Sequence, residues 1–142
     1  MGQYHKLVNL DKKEIVHPYN LGLGAKQYEQ TGDNGSISDA IYLLVMTSPA
    51  RGGGDWESFA DLSGRWAGDR VVIVGDYTED EDLPNYPNAS KLYNESATSE
   101  DWADISDAVA VALGKVFGFE VDLAEGGWRT RKELAGHWLN AL

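Results

Sequence analysis

Asp55 follows Gly52-Gly53-Gly54, Asp69 follows Gly68, and Asp76 follows Gly75. The last two bracket the aliphatic run Val71-Val72-Ile73-Val74. A carboxylate at the end of a buried strand is partly desolvated, which raises its pKa toward the range useful for proton transfer. Asp55, Asp69 and Asp76 are therefore the groups a hydrolase or transferase would use here. The same residue types also make turns, where Asp bonds nearby N–H groups and Gly supplies the geometry. On that alternative Asp69 caps a turn beside an arginine and Asp76 only ends the strand.

A second constellation points to binding. Trp56, Trp66 and Trp128 stand close to glycines, with Arg65 beside Trp66 and Arg129 beside Trp128. An indole offers a large apolar face and one donor, and a neighbouring guanidinium lets the pair stack on a planar ligand or dock on a protein. Trp56, Arg65, Trp66 and Arg70, with the flexible Gly52, Gly53 and Gly54, form the expected ligand-binding set. The competing reading is a small satellite core that holds the loops down.

Other chemistries lack the spacing they need. GLGAKQ (22–27) has Gln27 where a phosphate loop needs its hydroxyl, GGGD (52–55) has no following lysine, and no dinucleotide fingerprint exists. DYTEDED (76–82) imitates the start of a calcium loop, but Glu81 replaces the required glycine and Pro87 the closing glutamate. His5, His17 and His137 have no metal-ligand spacing, although a hairpin would bring the first two near each other. No nucleophile elbow is present. Neither a metal nor a cofactor is expected.

The elements that position these residues follow from pattern. YHKLVNLDKKEIVHP (4–18) reads as two strands around an Asp11-Lys12-Lys13 turn, ended by Pro18. AKQYEQ suits a short helix. Ser36 and Asp39 make a capping box for a helix whose face carries Ile37, Ile41, Leu44 and Val45, stopped by Pro49 and the glycines. DWESFADLSG allows one more helical turn. Val71–Val74 does not alternate, which predicts a central strand buried on both faces. TEDEDLPNYPNAS (78–90) is an exposed acidic loop. For 104–118 the spacing of Ile105, Val109, Ala112, Leu113 and Val116 predicts a helix capped by Asp104 or Ser106, with a strand as rival for its middle. FEVDL (119–123) alternates as a strand, and Gly126-Gly127 turns the chain. Thr130 and Glu133 form a second capping box, for a C-terminal helix carrying Leu134, Trp138 in the core, and Leu142. The sum is a single α+β domain over 1–142: a mixed or mainly antiparallel sheet with an N-terminal hairpin, covered by three to four helices.

Composition bounds the function. The chain has 142 residues, five tryptophans and no cysteine, so it can bury a core while disulfides and thiolate metal sites are excluded. Twelve basic residues face 23 acidic ones, a net charge of −11, which repels nucleic acid and suits a basic partner or simple solubility. MGQYHKLVNLDKK has no apolar stretch of the secretory kind, and no run is long enough to span a bilayer. A soluble cytoplasmic protein is expected, with no membrane and no nucleic acid among its partners; nothing in the sequence fixes an oligomeric state.

MGQYHKLVNLDKKEIVHPYNLGLGAKQYEQ, RGGGD, SGRWAGDRVVIVGDY and Asp104-Ile105-Ser106 together resemble a family of small proteins of bacteria, actinobacteria especially, and their bacteriophages. Members begin Met-Gly-x-Tyr, continue with Val-Asn-Leu-Asp-Lys and His-Pro, and later carry Trp-x-Gly-Asp-Arg and Gly-Asp-Tyr. The likeness covers most of the first 77 residues and thins beyond. It implies a small accessory protein of the cytoplasm, the host's if the gene is viral, and assigns no catalytic residue. The expected function is a binding module for a protein or a small planar, nucleotide-like ligand. The alternative is a carboxylate-dependent hydrolase or transferase, optionally assisted by a divalent metal ion.

Overall fold

A computed structural model describes residues 3–123 and 129–134. The N-terminal hairpin forms as expected: β1 (His5–Asn9) pairs antiparallel with β2 (Glu14–Val16), Leu7 opposite Val16. The connecting turn is fixed by Asn9, whose Oδ1 accepts from the main-chain N–H groups of Asp11 (2.9 Å) and Lys12 (2.8 Å). Pro18 opens a 3₁₀ turn at Pro18–Leu21, so the strand ends before it.

Among the described residues the other elements are α1 (Gln27–Thr31), α2 (Ile37–Val45), β3 (Val71–Gly75), α3 (Leu92–Thr98), β4 (Ala103–Asp104), α4 (Ser106–Phe117), β5 (Phe119–Val121) and β6 (Arg131–Glu133). One sheet has the order β3-β1-β2-β4, with β4 parallel to β2 and the other pairs antiparallel; β5 and β6 form a separate antiparallel ribbon. The architecture is α+β with a mixed sheet.

Alternation along β1 and β2 divides the interior between the two sheet faces. Leu7 and Val16 point into the larger cluster, with Leu43 and Leu44 of α2, Val109 and Leu113 of α4, and Trp66. Val8 and Ile15 point the other way and meet Val74 and Leu92 of α3. Helix α2 starts at the Ser36–Asp39 capping box, each residue bonding the other's main chain. Asp104 accepts from the main-chain N–H of Ser106 at 2.8 Å, and 106–117 is helical, which removes the strand alternative.

Three expectations fail. Residues 60–68 form successive hydrogen-bonded turns that do not build a helix, since Asp61 has a positive φ. The Val71–Val74 run lies at a sheet edge, and Ile73 is 51 % exposed. A short aliphatic run reads alike at the centre and the margin of a sheet; here only Val74 of the run is buried, while Ile73 is exposed. Residues 131–133 are a strand pairing Glu133 with Phe119, not the first turn of a helix. A capping box is a local preference, and the partner offered by β5 overrides it. The Gly126-Gly127 turn, Trp128, His137, Trp138 and the helix beyond 134 lie outside the described residues.

Candidate functional site

The predicted site residues are distributed over three regions. At one end of β3, Asp69 accepts from Asn9 Nδ2 at 2.9 Å and Lys12 Nζ at 2.6 Å, and Arg70 Nε donates to Asp11 at 2.9 Å. These ties clamp the hairpin turn to the chain entering β3. The Lys12 and Asn9 contacts hold the Asp69 carboxyl below its ordinary pKa. It is therefore a turn anchor in the ionised form. Asp76 sits past the other end of β3, where it accepts from the Tyr4 main-chain N–H at 3.0 Å. At about 3.3 Å per strand residue it stands roughly 20 Å from Asp69. Asp55 lies in the glycine loop. The three carboxylates do not converge.

Arg65 and Trp66 form the second region, around Glu14. Glu14 stands on β2 at the same parity as Val16, so its side chain enters the larger cluster. It accepts from Arg65 Nε (2.8 Å) and Nη2 (2.5 Å) and from the Trp66 indole (2.7 Å). Arg65, and after it Trp66, hold the Glu14 carboxyl below its usual pKa against the opposing effect of burial. Trp66 is fully buried and has no face to offer a ligand. The Arg65–Trp66 pair secures β2 to the 59–69 turns.

The third region has the geometry of a binding cleft. Asp39 and Tyr42 lie on one side of α2 at i and i+3, with Met46 just past its end, facing the loop from Thr47 to Trp56 across an open cleft of about 570 Å³. Gly54, Asp55 and Trp56 line its far wall. The Trp56 ring is held between Tyr42 (centroids 5.3 Å, tilted 58°) and Phe117 (5.5 Å, edge-on). Tyr42 is 63 % exposed, so its ring offers apolar surface to the cleft. Side chains added at Gly53 or Gly54 would meet open space, so nothing crowds the loop side. The loop is pinned by Asp55, which accepts from the Gly52 N–H at 2.8 Å. Volume and lining suit a small planar group.

Tyr42 and Asp39 were missed as site residues, although the signal existed: Tyr42 is a large aromatic on the face opposite Ile37, Ile41, Leu44 and Val45. A polar cluster under α3 was missed as well. Lys6 shares the parity of Val8, is only 2 % exposed, and donates to the Tyr93 main-chain oxygen at 2.6 Å while lying over the Tyr93 ring. The hairpin register sets His17 beside it, and His5 opposite Gly75 instead of opposite His17. Burial, and secondarily Lys6, pushes the His17 pKa down to about 4; burial brings Lys6 down to about 8 against the pull of Asp104. Among the described residues no group of three or more His, Asp or Glu is arranged to hold a metal ion.

The Lys6 geometry gives a first expected outcome. The unfolded chain protonates Lys6 near pH 10.5 and the folded chain near 8, so the unfolded state binds more protons between those values and wild-type stability rises across that window. Lys6→Met removes a buried charge and is expected to stabilise the fold by about 1–2 kcal/mol at pH 7. The advantage should close by about pH 10. Urea unfolding of both proteins at pH 7 and pH 9.5 measures it; an advantage unchanged with pH would contradict the assignment.

No helix among the described residues is long and apolar enough to cross a membrane. Comparison of the chain with protein-family models, with curated proteins and with solved structures returns no match.

Proposed function

We propose that this protein is a binding module that receives a planar group, from a small molecule or a partner protein, in the cleft between α2 and the glycine loop. The observation that carries this reading is the Tyr42–Trp56 pair at the wall of an open cleft, Tyr42 exposed and Trp56 half-buried and anchored from behind by Phe117. A fixed ring beside an open volume lets a ligand stack without ordering the wall first, which lowers the cost of binding. The separation of Asp55, Asp69 and Asp76 favours binding over the hydrolase alternative, because acid–base catalysis needs its groups around one reacting atom. An accessory role in a bacterial cytoplasm, the host's for a phage gene, is the setting that the resemblance of the first 77 residues supports.

The test is a ¹⁵N-resolved titration of the full chain with indole, adenosine and Nα-acetyl-arginine methylamide. The expected result is saturable shifts of the Trp56 indole and the Tyr42 and Gly54 amides with at least one of these probes. Shifts elsewhere only, or none with any of the three, would overturn the proposal.

A further inference from the structure

We infer that the group recognised in the Tyr42–Trp56 cleft is a guanidinium, that of an arginine side chain on a basic partner protein. This inference rests on the cleft being the binding site and specifies what enters it. The lining has two aromatic rings and two carboxylates, Asp39 and Asp55, and no Lys, Arg or His. Each carboxylate is oriented from behind by main-chain donors to its Oδ2: Gly35 N at 2.7 Å and Ser36 N at 3.2 Å on Asp39, Gly52 N at 2.8 Å on Asp55. Among the described residues Oδ1 of each accepts no hydrogen bond, so one oxygen per carboxylate remains for a ligand.

A guanidinium is the planar cation that uses both features together. It stacks on an aromatic face, is weakly hydrated, and presents a fork of N–H donors in its own plane to a carboxylate oxygen. An ammonium is a strongly hydrated point charge that gains less from the rings. A phosphate-bearing nucleotide would approach two carboxylates on a chain of net charge −11, which disfavours it over the whole approach path. The same charge steers a basic partner inward, and the polar rim at Thr47 and Ser48 can meet its main chain.

The probes are Nα-acetyl-arginine methylamide, its lysine counterpart and adenosine, each titrated into the ¹⁵N-labelled full chain. Saturable arginine shifts at the Trp56 indole are expected, with the lysine compound at least about fivefold weaker. Asp55→Asn, in an exposed loop, should leave thermal unfolding within a few degrees and weaken arginine binding about three- to tenfold. Adenosine filling the cleft while arginine does not would overturn the guanidinium assignment and leave the planar-group reading standing. Equal lysine and arginine affinities, or unchanged arginine binding in Asp55→Asn, would overturn it too. No cleft shifts with any of these probes would overturn the guanidinium assignment, and silence with indole as well would remove the planar-group reading too.

Discussion

Glu14→Ala should destabilise the fold by about 3 kcal/mol and lower Tm by on the order of 10 °C. The carboxylate is the common acceptor for Arg65 and the Trp66 indole. Removing it leaves the indole N–H buried without a partner and the guanidinium beside an apolar gap, which costs more than the lost bonds. Arg65 reaches solvent and can rehydrate, so the loss stays below that of a wholly buried pair. Glu14→Gln keeps an acceptor for Trp66 and should lose about half as much. The pH dependence separates the two contributions. The folded Glu14 pKa lies below the unfolded one, so its stabilisation is full above the unfolded value and is lost as pH falls through the folded value. Glu14→Gln should show a smaller loss on acidification than the wild type in denaturant titrations. An equal acid loss would mean that charge contributes nothing there.

Arg131→Ala carries the second large effect, also about 3 kcal/mol. The guanidinium donates to three main-chain oxygens, Leu21 (2.7 Å), Asn34 (2.7 Å) and Gly35 (2.6 Å), and lies 3.9 Å over the Phe119 ring. It joins the β5–β6 ribbon to the segment between the first 3₁₀ turn and α2. Burial lowers its pKa to about 10, still ionised at neutral pH. Gly22 and Gly35 make room for it: both have positive φ, and a Cβ would lie 2.7 Å from Arg131 Cγ at Gly22 and 2.5 Å from the Phe119 ring at Gly35. Arg131→Lys retains the charge but has no planar fork to span three acceptors, and should recover less than half of the loss. Chemical unfolding of the three proteins reads this directly; full recovery by lysine would show that geometry is immaterial.

Local signals in the sequence carried the elements whose causes are local. The polar Asp11-Lys12-Lys13 turn, the Ser36–Asp39 box and the apolar spacing of 106–117 are local signals, so the hairpin and the two longest helices were legible; the part of Asn9 in fixing the turn was not. The edge position of β3 was not, because it depends on which strands pair across the whole sheet, which no short window contains. Nor was the strand at 131–133, whose partner lies ten residues back in β5. The candidate site was half legible. Gly54, Asp55 and Trp56 line the cleft while Gly52 and Gly53 do not, and Arg65, Trp66, Asp69 and Arg70 are anchors, because Glu14 and the hairpin turn supply buried or fixed partners that no short window contains. Lys6 and Glu14 could have been flagged by parity alone, each being a charged residue in step with an apolar face.

The most direct test of the binding-cleft claim is a paired titration of the wild type and Tyr42→Ala with indole, adenosine and Nα-acetyl-arginine methylamide. Tyr42 is mostly exposed but packs on Trp56, so the variant should unfold within about 1.5 kcal/mol of the wild type. The account predicts at least a tenfold loss of affinity for whichever probe binds the wild type. Undiminished affinity in a folded Tyr42→Ala protein would contradict it.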